Sequence, residues 1–169
     1  MFEKKILNFY DNKNILITGS SGFLGSNLLE FFLKTNCNIF VFKRSKDEHV
    51  KGNIKYIYGK YEDKSKWKKI LYKIDIIFHL ASQTSSNKSM ESLFDDFQSN
   101  TLPIMTILEV LREIKKNKIF IVNSATVTQF GNHLNLINEN TKDHPITFYD
   151  LNKLNTENIL LTYARLNYV

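Results

Sequence analysis

The sequence is poor in sulfur, proline and arginine. Its one cysteine, Cys37, excludes an internal disulfide framework and any all-cysteine metal site. Two prolines and six glycines among 169 residues exclude a low-complexity linker protein. No apolar run reaches the roughly 18 residues that a membrane-spanning helix requires, so no membrane partner is expected. The opening stretch, MFEKKILNFYDNKN, holds neither a long apolar segment nor a small-residue cleavage site, and no signal peptide is read there. The default is therefore a soluble, cytoplasmic protein. Arginine is scarce as well: only Arg44, Arg112 and Arg165, the other basic residues being lysines spread along the chain. A nucleic-acid binder would show a basic stripe with arginine and interleaved aromatics, so no nucleic-acid partner is expected. The net charge of +6 speaks to solubility rather than to fold. The densest basic run, Lys64–Lys69 with Trp67 inside it, reads as a solvated helix face held by one anchoring aromatic.

What remains is a globular balance, 43% apolar and 24% charged, in a chain long enough for one ordinary domain with its own core. Short β-rich runs alternate with longer helical ones. Strands are expected at 14–18, 38–42, 54–58, 75–80 and 118–123. Helices are expected at 23–34, 64–72, 148–167 and over most of 90–116, where Pro103 either kinks the helix or starts a new one. Continuous apolar strands separated by helices imply a doubly wound, parallel α/β sheet, Rossmann-like, built from right-handed βαβ units. Ligands of such sheets lie beyond the carboxyl ends of the strands, so the segments to inspect are those that follow each strand.

Thr18-Gly19-Ser20-Ser21-Gly22-Phe23-Leu24-Gly25 follows a strand and opens a helix. That is the context a dinucleotide fingerprint needs, although the spacing is GxxGxxG rather than GxGxxG. Gly19 would permit a tight turn, Gly22 would let backbone amides reach a pyrophosphate, and Gly25 would allow close packing. The helix N-terminus adds free amides and partial positive charge. The second strand ends in Lys43-Arg44 rather than in the acid that would bind the ribose hydroxyls of NAD, and two cations there favour NADP. The fourth strand ends in His79-Leu80-Ala81-Ser82. His79 reads as a core residue, because no second ligand stands at metal spacing, and no metal is expected. Tyr149 and Lys153 lie four apart on one helix face. An ammonium and an oxidised nicotinamide nearby would lower the phenol's pKa from ~10 and let it take a proton from a sugar hydroxyl. The fifth strand runs into Asn123-Ser124-Ala125-Thr126-Val127-Thr128-Gln129-Phe130-Gly131, where a hydroxyl could hydrogen-bond the reacting oxygen beside Tyr149.

Together TGSSGFLG at 18–25, DIIFHLAS at 75–82, Asn100, NSATVTQFG at 123–131 and YDLNK at 149–153 resemble the extended short-chain dehydrogenase/reductases. Within them they resemble the NAD-dependent epimerase/dehydratase family acting on nucleotide sugars. The resemblance covers nearly the whole chain in the family's order. It implies Tyr149 as catalytic acid/base and Lys153 as the group that holds the nicotinamide ribose. It implies Gly19, Ser21, Gly22, Phe23, Leu24 and Gly25 along the pyrophosphate, with Lys43, Arg44, Leu80, Ala81, Ser82 and Asn100 also toward the NAD or NADP cofactor. The catalytic hydroxyl is Thr126 if counted back from Gly131 and Ser124 if the letters SAT are matched; the loop's end favours Thr126. Val127-Thr128 stand where dehydratases carry Asp-Glu, which points away from 4,6-dehydration and toward epimerisation at C4 or keto-sugar reduction. Gly59-Lys60 replaces the family's frequent Gly-Asp after the third strand. The resemblance further implies a nucleotide-sugar substrate and a homodimer through a four-helix interface. Residues 1–169 are expected to be the dinucleotide-binding portion of a larger enzyme. A sixth strand would be starting near 165–169 and the substrate domain would be absent, so the isolated chain should have little turnover and an unpaired sheet edge.

Overall fold

A computed structural model describes residues 2–46, 54–116, 119–133 and 136–169, the side chains of residues 2–4 excepted. Its centre is a five-stranded, all-parallel sheet formed by β1 (Asn14–Thr18), β2 (Asn38–Lys43), β3 (Ile54–Tyr58), β4 (Ile76–His79) and β5 (Phe120–Asn123) in the order β3-β2-β1-β4-β5. The expected strands are all present. The start of the fifth, at residue 118, lies outside the described residues. The order reverses direction between β1 and β4, which creates a crevice at their carboxyl ends.

Alternation along the strands divides the core. Leu16, Phe40, Phe42 and Ile77 face one layer, which is filled from α3 (Lys64–Leu71) and α6 (Leu102–Glu113). Ile15, Ile17, Ile39, Val41, Ile76 and Phe78 face the other, with Leu29 and Phe32 of α2 (Phe23–Phe32) packed on them. Two apolar faces need two helical layers, which is why the strands read as unbroken apolar runs. Trp67 is fully buried. It stacks on Phe42 with ring centroids 4.0 Å apart, and its indole N–H donates to the Tyr61 carbonyl. The surrounding lysines face outward, Lys64 and Lys68 both pairing with Glu113.

Two helical features differ from the sequence expectation. Residues Phe2–Phe9 form a helix, α1, where none was assigned. The helical stretch expected over most of 90–116, with a kink or a new start at Pro103, is three helices: α4 (Ser86–Glu91), α5 (Leu93–Asn100) and α6. The last starts at Leu102-Pro103, and the break between α4 and α5 is the unexpected one. Ser92 breaks the first pair by adopting an extended backbone and capping α5 through its hydroxyl. Pro103 sits in the first turn of α6, where its missing amide costs nothing. The last helix, α7, runs Phe148–Arg165. Among the described residues β5 pairs only with β4, and Phe120 on it is 66% exposed. No helix among the described residues is long and apolar enough to cross a membrane.

Candidate active site

Three strand ends meet side by side, Thr18 against His79 and His79 against Asn123. Gly19 follows with φ +72°, and a Cβ there would lie 2.6 Å from the backbone of Leu80 and Ala81. The turn after β1 therefore presses directly on the loop after β4, and only glycine fits. Gly25 is equally constrained, because its Cβ would come within 2.1 Å of the Gly19 carbonyl oxygen. Gly22 is not, its nearest contact being 3.4 Å. The first glycine turns, the third packs against the turn, and the second leaves the helix end open. Gly25→Ala should therefore lower stability by about 1–3 kcal/mol through overpacking. Gly22→Ala should unfold at nearly the wild-type urea concentration, and equal midpoints for all three proteins would contradict this.

The open end of α2 suits an anion. Gly22 provides no side-chain cap, and the first intrahelical bond runs from the Ser26 amide to the Gly22 carbonyl, leaving the amides of Phe23 and Leu24 ahead of it. The Ser20 hydroxyl, in the same glycine turn, is buried without a partner. Free amides and an orphaned hydroxyl are what a pyrophosphate would satisfy. Lys43 ends β2 with its ammonium over the Tyr56 ring, 5.5 Å from the centroid, and Arg44 beyond it is exposed.

His79 is buried as expected. The Thr18 hydroxyl accepts from the Ala81 amide at 3.2 Å and lies 3.0 Å from His79 Nδ1, to which it can donate. His79 Nε2 has no partner among the described residues. Burial holds the imidazole down to about 3, and the Lys153 charge adds to this. The unfolded imidazole takes up its proton near pH ~6.5. The folded one does so only near 3. Between those values the unfolded chain binds more protons, so stability falls as pH falls. A urea-midpoint series from neutral pH downward should show this loss, with a shallower slope in His79→Gln; parallel slopes would argue against it.

The loop after β4 is fixed by α5. Asn100 Oδ1 accepts from the Ser82 hydroxyl at 2.7 Å and from the Gln83 amide at 3.0 Å, while its Nδ2 donates to Asp96 at 2.9 Å. Asp96, 2% exposed, also accepts from Gln83 Nε2 at 3.0 Å and Asn152 Nδ2 at 2.8 Å. The Asn100 side chain is thus occupied in bracing the loop that carries Ser82, rather than aimed into the groove.

Helix α7 begins with a reciprocal cap: Asp150's amide donates to the Thr147 hydroxyl and Thr147's amide to the Asp150 carboxylate. That cap sets Tyr149 in the first turn and Lys153 one turn on. Lys153 is 4% exposed and donates to Ser124 Oγ at 3.2 Å. Burial pushes it down to about 8, against the pull of Asp96. Tyr149 is half-buried with Thr126 and Ser82 as its hydroxyl neighbours. The structure therefore separates the two candidate hydroxyls: Ser124 meets Lys153, and Thr126 meets Tyr149.

Among the protein's own groups the Tyr149 phenol is raised, because burial comes first and the charges of Asp150 and Asp96 add to it against the hydrogen bonds of Thr126 and Ser82; the expected lowering belongs to the site with an oxidised nicotinamide bound. Lys153 is turned to Ser124. Residues that the sequence reading passed over complete the site: Asp96, Gln83, Asn152, Thr128 and Asp150. Thr128 lies 2.7 Å from Thr126 through their hydroxyls and donates to Asp150. The only available signal was the carboxylate at Asp150, directly beside Tyr149. Among the described residues no cluster of His, Cys, Asp or Glu could hold a metal ion.

The same geometry can be set beside known proteins. A family model described as the NAD dependent epimerase/dehydratase family matches residues 15–169. The chain belongs to that family. A putative UDP-glucose 4-epimerase of Methanocaldococcus jannaschii is 25% identical over 90% of this chain and 51% of its own length. A CDP-paratose 2-epimerase of Salmonella typhi is 30% identical over 69% of this chain and 38% of its own. The solved UDP-glucose 4-epimerase of Thermotoga maritima, with UDP-glucose, superimposes with a TM-score of 0.81 at 27% identity, over 91% of this chain and 52% of that one. The chain thus spans about half the length of such epimerase relatives. The epimerase/dehydratase fold is the Rossmann-like sheet described above, and the family's NAD dependence agrees with the open glycine loop.

Proposed function

We propose that the protein is a nucleotide-sugar epimerase that works at C4 of the sugar, with Tyr149 as the acid/base. The observation that carries this is the convergence of Tyr149, Thr126, Ser124 and Lys153 at the carboxyl edge of the sheet, next to a glycine loop with an uncapped helix end. The bound dinucleotide supplies hydride acceptance and hydride return. The amides of 22–25 would hold its pyrophosphate, with Gly19 and Ser21 in the turn; Leu80, Ala81 and Ser82 would form the wall opposite. Asn100 serves that wall from behind. Lys153, pushed down to about 8 by burial yet still largely protonated at neutral pH, would orient the nicotinamide ribose through hydrogen bonds. Tyr149 moves a proton between its phenol oxygen and the sugar hydroxyl, and Thr126 positions that hydroxyl.

The relatives act at more than one carbon, 4-epimerases beside a 2-epimerase, and C4 rests on the more numerous 4-epimerases among them. The expected homodimer would use α5 and α7, where Leu93, Phe94, Phe97 and Leu151 line a groove of about 470 Å³. A second reading, an NADPH-dependent keto-sugar reductase, is favoured by Lys43 and Arg44 at the end of β2. Cofactor stoichiometry decides between the two. The gene's full product should interconvert two sugar epimers with catalytic NAD and no net NADH, whereas consumption of one NADPH per product would establish the reductase. The 169-residue chain alone should bind dinucleotide with little turnover.

A further inference from the structure

We propose that Asp96 divides its two carboxylate oxygens between the two walls of the groove, Oδ1 holding the loop that carries Ser82 and Oδ2 holding α7 through Asn152, so that Asn152 is the positioning residue for Lys153. The inference rests on the reading of α7 as the helix that carries the acid/base, and deepens it.

The way α7 is seated points to this. Its fully buried residues are all polar: Asp150, Asn152, Lys153 and Thr156. A helix is ordinarily seated by an apolar stripe, and apolar contact has no preferred direction. Apolar side chains of α7 reach the core only further along, through Ile159, Leu160 and Tyr163. The half that carries Tyr149 and Lys153 is seated by hydrogen bonds, which are directional and so fix its rotation about the axis. Two of them use backbone carbonyls. Thr101 Oγ1 donates to the Asn152 carbonyl at 3.1 Å, and Thr156 Oγ1 to the Asn100 carbonyl at 3.2 Å.

The bond from a side chain of α7 to the opposite wall is the charge-assisted one. Asn152 Nδ2 donates to Asp96 Oδ2 at 2.8 Å. Asp96 Oδ1 accepts from Asn100 Nδ2 at 2.9 Å and Gln83 Nε2 at 3.0 Å. Asn100 Oδ1 in turn accepts from the Ser82 hydroxyl and the Gln83 amide. A continuous chain of bonds therefore runs from Ser82 through Asn100 and Asp96 to Asn152, one residue before Lys153. The two walls are joined through different oxygens of one carboxylate, so the links can be cut separately. Ser124 gives Lys153 a neutral hydroxyl at 3.2 Å, a weaker constraint than the bond its neighbour makes. The Asp96 charge also supports the Lys153 ammonium.

Asn152→Ala cuts the α7 arm alone, because the bond from Thr101 goes to the backbone of residue 152 and the bonds to Asp96 Oδ1 are untouched. In the gene's full product it should lower kcat about tenfold, since a shift of less than an ångström at the reacting groups is enough. Dinucleotide affinity should stay near the wild-type value. Asn100→Ala cuts the other arm and should weaken dinucleotide binding about tenfold, the value of one such hydrogen bond. The decisive arm is the double variant Asp96→Asn with Asn152→Asp. It reverses the bond: the amide at 96 donates to the carboxylate at 152 and keeps its oxygen for Asn100 and Gln83. This swapped pair should recover kcat. Wild-type kcat in Asn152→Ala, an equal loss of affinity and turnover there, or a loss that the swapped pair does not recover overturns the proposal. If Asn152→Ala does not fold, the swapped pair decides alone, and low kcat in it overturns the proposal. Amide hydrogen exchange of the 169-residue chain gives an arm that needs no turnover. Exchange over 149–156 should quicken in Asn152→Ala and return in the swapped pair, and unchanged exchange overturns the proposal. Failure of the acid/base reading would show differently: Tyr149→Phe would keep full turnover while Asn152→Ala still lost it.

Discussion

Tyr149→Phe is expected to reduce turnover of the gene's full product by about 10²–10⁴-fold, the usual contribution of a positioned acid/base. Phenylalanine keeps the ring in the first turn of α7 and removes only the oxygen that faces Thr126 and Ser82. The helix cap is made by Thr147 and Asp150, not by Tyr149, so the fold should be unaffected. Dinucleotide affinity should change little, since the glycine loop and the end of α2 are untouched. Steady-state rates with a nucleotide sugar, together with a dinucleotide-binding isotherm, separate the two effects. Wild-type turnover in Tyr149→Phe would remove the residue from the chemistry.

The second large effect is expected at Asp96. One buried carboxylate satisfies three amide donors, Gln83 Nε2, Asn100 Nδ2 and Asn152 Nδ2, drawn from the β4 loop, α5 and α7. In Asp96→Ala, Asn100 Nδ2 and Asn152 Nδ2 lose their acceptor inside the protein, while Gln83 Nε2 keeps the Ser85 carbonyl at 2.8 Å. At about 1–3 kcal/mol for each unsatisfied buried group, the loss should be about 2 kcal/mol or more. The loop carrying Ser82 should loosen with it, because Asn100 would no longer be held from behind. Lys153 should also fall further below its present value near 8, since Asp96 is what supports its charge. Asp96→Asn retains shape and one acceptor oxygen and should recover part of the stability. Urea unfolding of the three proteins checks the order, and a cost below about 1 kcal/mol for Asp96→Ala would contradict the hub.

These two positions mark the limit of what the sequence conveys. The strands were legible because apolar side chains on both faces produce unbroken runs such as Ile15-Leu16-Ile17. The glycine loop was legible because a positive φ at Gly19 and a forbidden Cβ at Gly25 leave no other residue possible. The Tyr149–Lys153 pair stood out through its helical spacing. Asp96 did not, because its partner Asn152 is 56 residues away and nothing local distinguishes this carboxylate from a solvated one. Thr128 read as an ordinary loop residue for the same reason. The break at Ser92 was hidden because its local signal, a serine before an acidic turn, is shared by many solvated helix surfaces. The sequence did not show that burial, the adjacent Asp150 and the distant Asp96 raise the Tyr149 phenol, nor that Lys153, one turn along the helix, points to Ser124.

The account turns on hydride leaving and returning to the same sugar carbon beside Tyr149. Its most direct test is incubation of the gene's full product with a nucleotide sugar deuterated at C4 and catalytic NAD. The expected product is the C4 epimer with the deuterium still at C4 and no NADH accumulated. Loss of the label into accumulating reduced dinucleotide, or a product inverted at another carbon with C4 unchanged, would contradict it.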